Sequence, residues 1–133
     1  MTKFHARVTA EFDGQEFTSV WLYSDKDPMI YRVFVPENVG DPRSPVTSWD
    51  IGRELFRESI DEHKLAGRLS IIIGPPANGW IQVKFTDENG IDTALVSFNE
   101  VELTQFHRTS HSRVNADQEI KIAMDQLLSK VNA

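Results

Sequence analysis

AGRLSIIIGPPANGWIQVKFTDENGIDTALVSF, residues 66–98, decides the fold. Leu69, Ile71 and Ile73 alternate with their neighbours, as do Ile81, Val83 and Phe85, and then Ala94, Val96 and Phe98. Period-two runs of this kind, each bounded by turn residues, predict three strands of an antiparallel meander. Gly74-Pro75-Pro76-Ala77-Asn78-Gly79 cannot continue a strand, because its prolines supply no N–H and its glycines tolerate positive φ. Asp87-Glu88-Asn89-Gly90 ends in Asn-Gly, a strong hairpin signal.

Upstream, Phe4, Ala6, Val8 and Ala10 alternate against polar residues and predict a strand over 3–12. Asp13-Gly14 turns it into a second strand over 15–23, which ends at Asp25-Lys26-Asp27-Pro28. Residues 29–35 read as a third strand, stopped by Pro36, and residues 37–45 as a loop. A short fourth strand over 46–49 follows. The period then changes. Ile51, Leu55, Phe56 and Ile60 fall at helical spacing, with Arg53, Glu54, Arg57 and Glu58 assigned to the wet side. Thr47 or Ser48 is the expected cap, Asp50 suits the positive end of the helix, and Gly67 terminates the connection.

Downstream, Asn99 and Glu102 read as a capping box, with Val101, Leu103 and Phe106 on the buried side of a short helix. A final helix is capped by Asn115, with Gln118 reciprocal and Ile120, Ala123, Met124, Leu127, Leu128 and Val131 in one stripe. The expectation is a single α+β domain, 1–133, of about seven strands and three helices in the order ββββαβββαα. Ile72, Ile91 and Leu95 point away from the face that carries Ile71, Val83 and Val96. Both faces therefore need cover, from the N-terminal strands, another protomer or a partner.

The 133-residue chain is long enough for one core, and its lack of cysteine excludes disulfides, thiolate nucleophiles and cysteine-ligated metals. That composition, with no signal-peptide pattern and no membrane-length apolar run, leads to a cytoplasmic expectation. The net charge is −6, with 12 acids against 8 bases up to Ala66 and 8 against 6 beyond it. Without gathered bases, such a domain gains little from phosphate counterion release, so nucleic acid is the minority reading.

Candidate chemistry is sparse. His107 and His111 share a helix-face spacing, but Arg108 stands where a zincin has its glutamate, so no metal is expected. His107, Arg108, His111 and Arg113 form a possible anion-contacting patch, helped by Ser110 and Ser112. The favoured reading of that stretch is a polar linker between helices, with solvated histidines. Trp21, Tyr23 and Trp49 read as core, whereas Trp80, opening a strand after the turn at Asn78, is the candidate partner contact. No carboxylate pair, serine elbow, phosphate loop or calcium loop is present, so no catalytic residue and no cofactor is expected.

Tyr23-Ser24-Asp25-Lys26-Asp27-Pro28, Val46-Thr47-Ser48-Trp49-Asp50-Ile51 with Arg53-Glu54-Leu55-Phe56, Gly67-Arg68-Leu69, Ala94-Leu95-Val96, Phe106-His107-Arg108-Thr109 and Asp117-Gln118-Glu119-Ile120 occur in that order. In this order the chain resembles the SsgA/SsgB-like sporulation and cell-division regulators of actinomycetes, from about Trp21 to Leu128. The resemblance implies a whirly-like fold, a homotrimer, and an adaptor role in septum-site selection in which SsgB-type members localise the tubulin-like division protein FtsZ. It places the protein in the cytoplasm and at the septum. Its lysine, isoleucine and asparagine content departs from the alanine- and arginine-rich norm of the family, as in a divergent or phage-borne copy. The alternative is a single-strand nucleic-acid binder, which whirly-like folds also support; a small-ligand or enzymatic domain would require a polar pocket.

Overall fold

The computed structural model describes residues 3–68, 70–86 and 93–113. Its strands are β1 (Lys3–Phe12), β2 (Gln15–Ser24), β3 (Ile30–Pro36), β4 (Val46–Gly52), β5 (Ala66–Arg68), β6 (Ile71–Ile73), β7 (Trp80–Thr86) and β8 (Thr93–Asn99). Between β4 and β5 lies α1 (Arg53–Phe56), which runs on as a π-helical turn over Arg57–Asp61, and α2 (Glu100–Arg113) follows β8. The strands form one antiparallel sheet in the order β4-β3-β2-β1-β8-β7-β6-β5. The expected α+β class holds, with eight strands instead of about seven. The predicted final helix at 115–131 and the turn at 87–90 lie outside the described residues.

Two meanders make this sheet, and turn dipeptides explain one reversal in each. Asp13 (φ 53) and Gly14 (φ 80) both adopt the left-handed backbone of a type I′ turn, which matches strand twist. Asn78 (φ 55) and Gly79 (φ 85) do the same, closing Ala77 on Trp80 with two backbone hydrogen bonds of 2.9 and 3.0 Å. The extra strand comes from splitting the predicted run at 66–73. Ala66 pairs with Ile73 and Gly67 with Ile72, so β5 folds back on β6. Gly67 does not terminate a connection. It lies inside β5 with φ 98, where a Cβ would collide with the Ile71 carbonyl oxygen.

The N-terminal meander joins the C-terminal one where β1 meets β8, Ala10 opposite Phe98. Beyond that point β1 diverges and α2 fills the gap: the backbone N–H of Thr9 donates to Glu102 Oε1 at 3.3 Å. Asn99 caps α2 as expected, its Oδ1 accepting from the Glu102 N–H at 3.0 Å. Glu102 reaches across to β1 with its own side chain, and α2 runs well past Phe106.

The strand β4 is longer than predicted, so Ile51 is a strand residue and Asp50 pairs across the ladder with Arg32 at 2.8 Å. Neither Thr47 nor Ser48 caps α1; its N-cap is Gly52, with no side-chain bond. Arg53 leaves the wet side altogether. It is 2% exposed, because the helical face that buries Phe56 and Ile60 also contains the position three residues before Phe56.

The sheet curls into a half-barrel with its core on the concave side, and Trp21 is at the centre. Its ring stands edge-on to Phe56 (5.4 Å) and Phe98 (5.1 Å), and its N–H donates to Ser19 Oγ at 3.1 Å. At one end the concave side is closed by Phe56 of α1 and Phe106 of α2, the latter 4.9 Å from Tyr31 and 5.3 Å from Phe4. Curling is far enough that Trp49 of β4 meets Phe85 of β7, ring centroids 5.0 Å apart. On the outer side Leu95 is 51% exposed, Ile72 is half-buried, and Lys84 stands between them. Ile91, the third apolar residue expected there, lies outside the described residues.

Candidate functional site

The stretch expected to be a polar linker is helical through Arg113, and one of its faces points into the core. Leu103, Phe106, His107 and Ser110 are buried, an i, i+3, i+4, i+7 pattern whose two polar members concealed it in the sequence. Val101, assigned to the buried side, is 72% exposed.

His107 is 2% exposed and is not a solvated histidine. Tyr31 Oη lies 2.7 Å from its Nδ1 and 2.5 Å from Ser110 Oγ, and Ser110 Oγ donates to the His107 carbonyl at 2.6 Å. Three short contacts need three protons, and the two hydroxyls supply two. The third therefore sits on Nδ1: His107 donates to Tyr31, Tyr31 to Ser110, and Ser110 to the helix carbonyl. Arg53 completes the cluster, its Nε donating to both hydroxyl oxygens at 3.3 Å. Its guanidinium also lies over the Tyr23 ring at 5.0 Å and the Tyr31 ring at 6.0 Å, a cation–π arrangement.

This Ser, His, Tyr and Arg grouping is not a nucleophile–base pair. The Ser110 hydroxyl donates to a backbone carbonyl, the imidazole Nδ1 is engaged by Tyr31, and all four side chains are buried. It joins α1, α2 and β3 at the closed end of the half-barrel. Of the anticipated anion-contacting residues, Arg108 is exposed on α2 and lines a groove of about 640 Å3 with Glu100, Val101 and Gln105. Ser110 and His107 face inward. The side chains of His111 and Arg113 are outside the described part.

Asn78 is exposed and Trp80 half-buried. Trp80 pairs with Asn99 just ahead of α2, and the Glu100 N–H donates to the Gly79 carbonyl at 2.9 Å. The Asn78 turn is thus held against the start of α2, roughly 20 Å along the helix from Arg113.

At the opposite end of the half-barrel no described helix covers the core. There Phe12, Phe17, Val35, Trp49, Phe85 and Val96 enclose a cleft of about 490 Å3, with Glu37, Thr47 and Ala94 also on its wall. Sequence reading missed it, since its residues come from six strands and the following loop.

Arg57 is held between Glu54 and Glu62 and its pKa is raised, first by the hydrogen bond to Glu54 and then by that to Glu62. The Glu62 carboxyl is pulled below the ordinary glutamate value, chiefly by the Arg57 hydrogen bond and then by Lys64. Both are surface groups. Among the described residues no three His, Asp or Glu side chains gather to hold a metal, and no helix is long and apolar enough to cross a membrane.

No family model and no curated protein matches the sequence. Solved structures do match. One is an SsgA-like sporulation-specific cell division protein from Thermobifida fusca YX-ER1, 20% identical, with a TM-score of 0.78 over 97% of this chain and 95% of that one. Another is SsgB of Streptomyces coelicolor, described through mutations that correlate to longitudinal cell division during sporulation; it is 14% identical, with a TM-score of 0.74 over 91% of this chain and 95% of that one. The half-barrel is therefore the fold of SsgA-like proteins, the group that the order of sequence motifs resembles.

Proposed function

We propose that this chain acts as an SsgA/SsgB-like protein: a non-catalytic regulator or adaptor of sporulation-linked cell division, working through protein contacts. One observation carries the reading. The likeness of fold spans 97% of this chain and 95% of its Thermobifida neighbour, an SsgA-like sporulation-specific cell division protein. The order of the sequence motifs points the same way independently of the fold.

On this reading the chain forms a homotrimer, associates with the septum, and recruits a division protein of the FtsZ type. Leu95 (51% exposed) and the half-buried Ile72, on the same outer face of β8 and β6, are available to such an assembly. Asn78 and Trp80 form part of the contact surface.

Two measurements test it. Light scattering is expected to give about three times the 15.2 kDa chain mass, and Trp80→Ala to lower that mass while the chain stays folded. Expression in an actinomycete lacking its SsgB-type protein is expected to restore sporulation septa. A monomer at all concentrations removes the trimer, and unrestored septation with normal protein levels removes the regulatory role.

A further inference from the structure

The end of the half-barrel that no described helix covers has a chemistry of its own. Phe12, Phe17, Val35, Trp49, Phe85 and Val96 wall the cleft of about 490 Å3, a size suited to a few apolar side chains. Two exposed loops rim it. The β1–β2 turn carries Asp13, and the loop after β3 carries Glu37 and Asp41; Gly40 of that loop lies against the side chain of Gln15 at the start of β2, which brings the turn and the loop together. None of these three carboxylates is in an ion pair among the described residues. Arg43 is the sole base on the two loops.

We propose that this cleft is a docking site for a basic, amphipathic segment of a partner protein, whose aromatic or large aliphatic side chains pack against Trp49, Phe85 and Phe17 while its lysines or arginines face Asp13, Glu37 and Asp41. Desolvated apolar anchors ringed by complementary charge are the arrangement that concentrates binding energy at interfaces. A free phosphorylated or acidic ligand would meet the carboxylate rim with like charge. The proposal deepens the adaptor role and rests on it for the partner being a protein.

The test uses the full chain and fluorescence anisotropy. The probe is a short labelled peptide of lysine, leucine and phenylalanine at helical spacing; the controls are its glutamate counterpart and an oligolysine with no apolar residue. The lysine–leucine–phenylalanine peptide should bind at least about tenfold more tightly than either control at low salt, a difference of about 1.4 kcal/mol. Glu37→Lys with Asp41→Lys, both exposed, should weaken it by about tenfold and flatten its salt dependence. Ala94→Phe, which fills the cleft from a half-buried position, should weaken it similarly with the melting midpoint unchanged.

Equal binding of the glutamate peptide, equal binding of oligolysine, or indifference to the charge-reversal pair would each overturn the assignment. So would indifference to a folded Ala94→Phe chain. If peptide binding fails while septation is restored, the cleft is wrong and the regulatory role stands. If binding behaves as expected while septation is not restored, the regulatory role fails and the docking site remains.

Discussion

Replacing Tyr31 by phenylalanine keeps the ring and removes one oxygen, so it isolates the buried cluster from the packing around it. That oxygen lies 2.7 Å from His107 Nδ1, 2.5 Å from Ser110 Oγ and 3.3 Å from Arg53 Nε. Tyr31 is fully buried, so water does not readily replace it. Losing a typical hydrogen bond costs about 1 kcal/mol, and a buried donor left without its acceptor costs about 1–3 kcal/mol more. The long Arg53 contact adds little, because Nε keeps Ser110. The expected loss is about 2–4 kcal/mol, a large share of the roughly 5–15 kcal/mol that holds a domain together. At about 4 °C per kcal/mol for a chain of this size, the midpoint should fall by roughly 8–16 °C. Urea unfolding followed by tryptophan fluorescence measures the free energy, and calorimetry the midpoint. A cycle with Ser110→Ala should show coupling of at least about 0.5 kcal/mol, since both changes break the same chain of donors. A loss below about 1 kcal/mol, or simple additivity, would refute the proton assignment and reduce the cluster to ordinary packing.

Other expectations are simpler. Gly67→Ala should cost about 1–3 kcal/mol in urea melts, because β5 needs positive φ there and a Cβ would strike the Ile71 carbonyl. Asn99→Ala should cost about 1 kcal/mol through loss of the α2 cap, with Asn99→Asp retaining most of it. Glu62→Gln should flatten the acid side of the stability curve: the wild-type carboxyl is depressed by Arg57 and Lys64, so its contribution is present above the ordinary glutamate value of about 4.3 and is lost as pH falls through the lower folded value. The difference between the two proteins should vanish toward strong acid and shrink with added salt, and a gap that widens on acidification would contradict this. Labelled single-stranded DNA should show no binding even at low salt; tight, salt-sensitive binding would revive the nucleic-acid reading.

Much of the architecture was legible because strand alternation and I′ turn dipeptides are local signals. Lys3–Phe12, Gln15–Ser24, Trp80–Thr86 and Thr93–Asn99 fall where the alternation places them, and Asp13-Gly14 turns as its composition demands. The errors arose where one pattern served two structures. Ile51, Leu55 and Phe56 mimic helical spacing across a strand end, so β4 was cut short and α1 begun too early. The split at residues 66–73 turns on Gly67, whose backbone conformation no alternation reveals. The candidate surfaces were less legible. Arg53 and His107 look solvated by residue type, and the cleft is assembled from strands distant in the chain.

The amino-acid order by itself determined most of the strands, the Asp13-Gly14 turn, the α2 cap and the absence of cysteine chemistry, since each depends on a residue and its near neighbours. Tertiary structure alone decided that β1 meets β8, that the described helices close one end of the half-barrel and none of them covers the other, and that a histidine and an arginine lie inside. A polar side chain is buried only where the fold provides its partner. For His107 that partner is the Tyr31 hydroxyl, and for Arg53 the partners include the Ser110 hydroxyl, the Pro28 carbonyl and the Tyr23 ring, which the chain brings to them only after the sheet has curled.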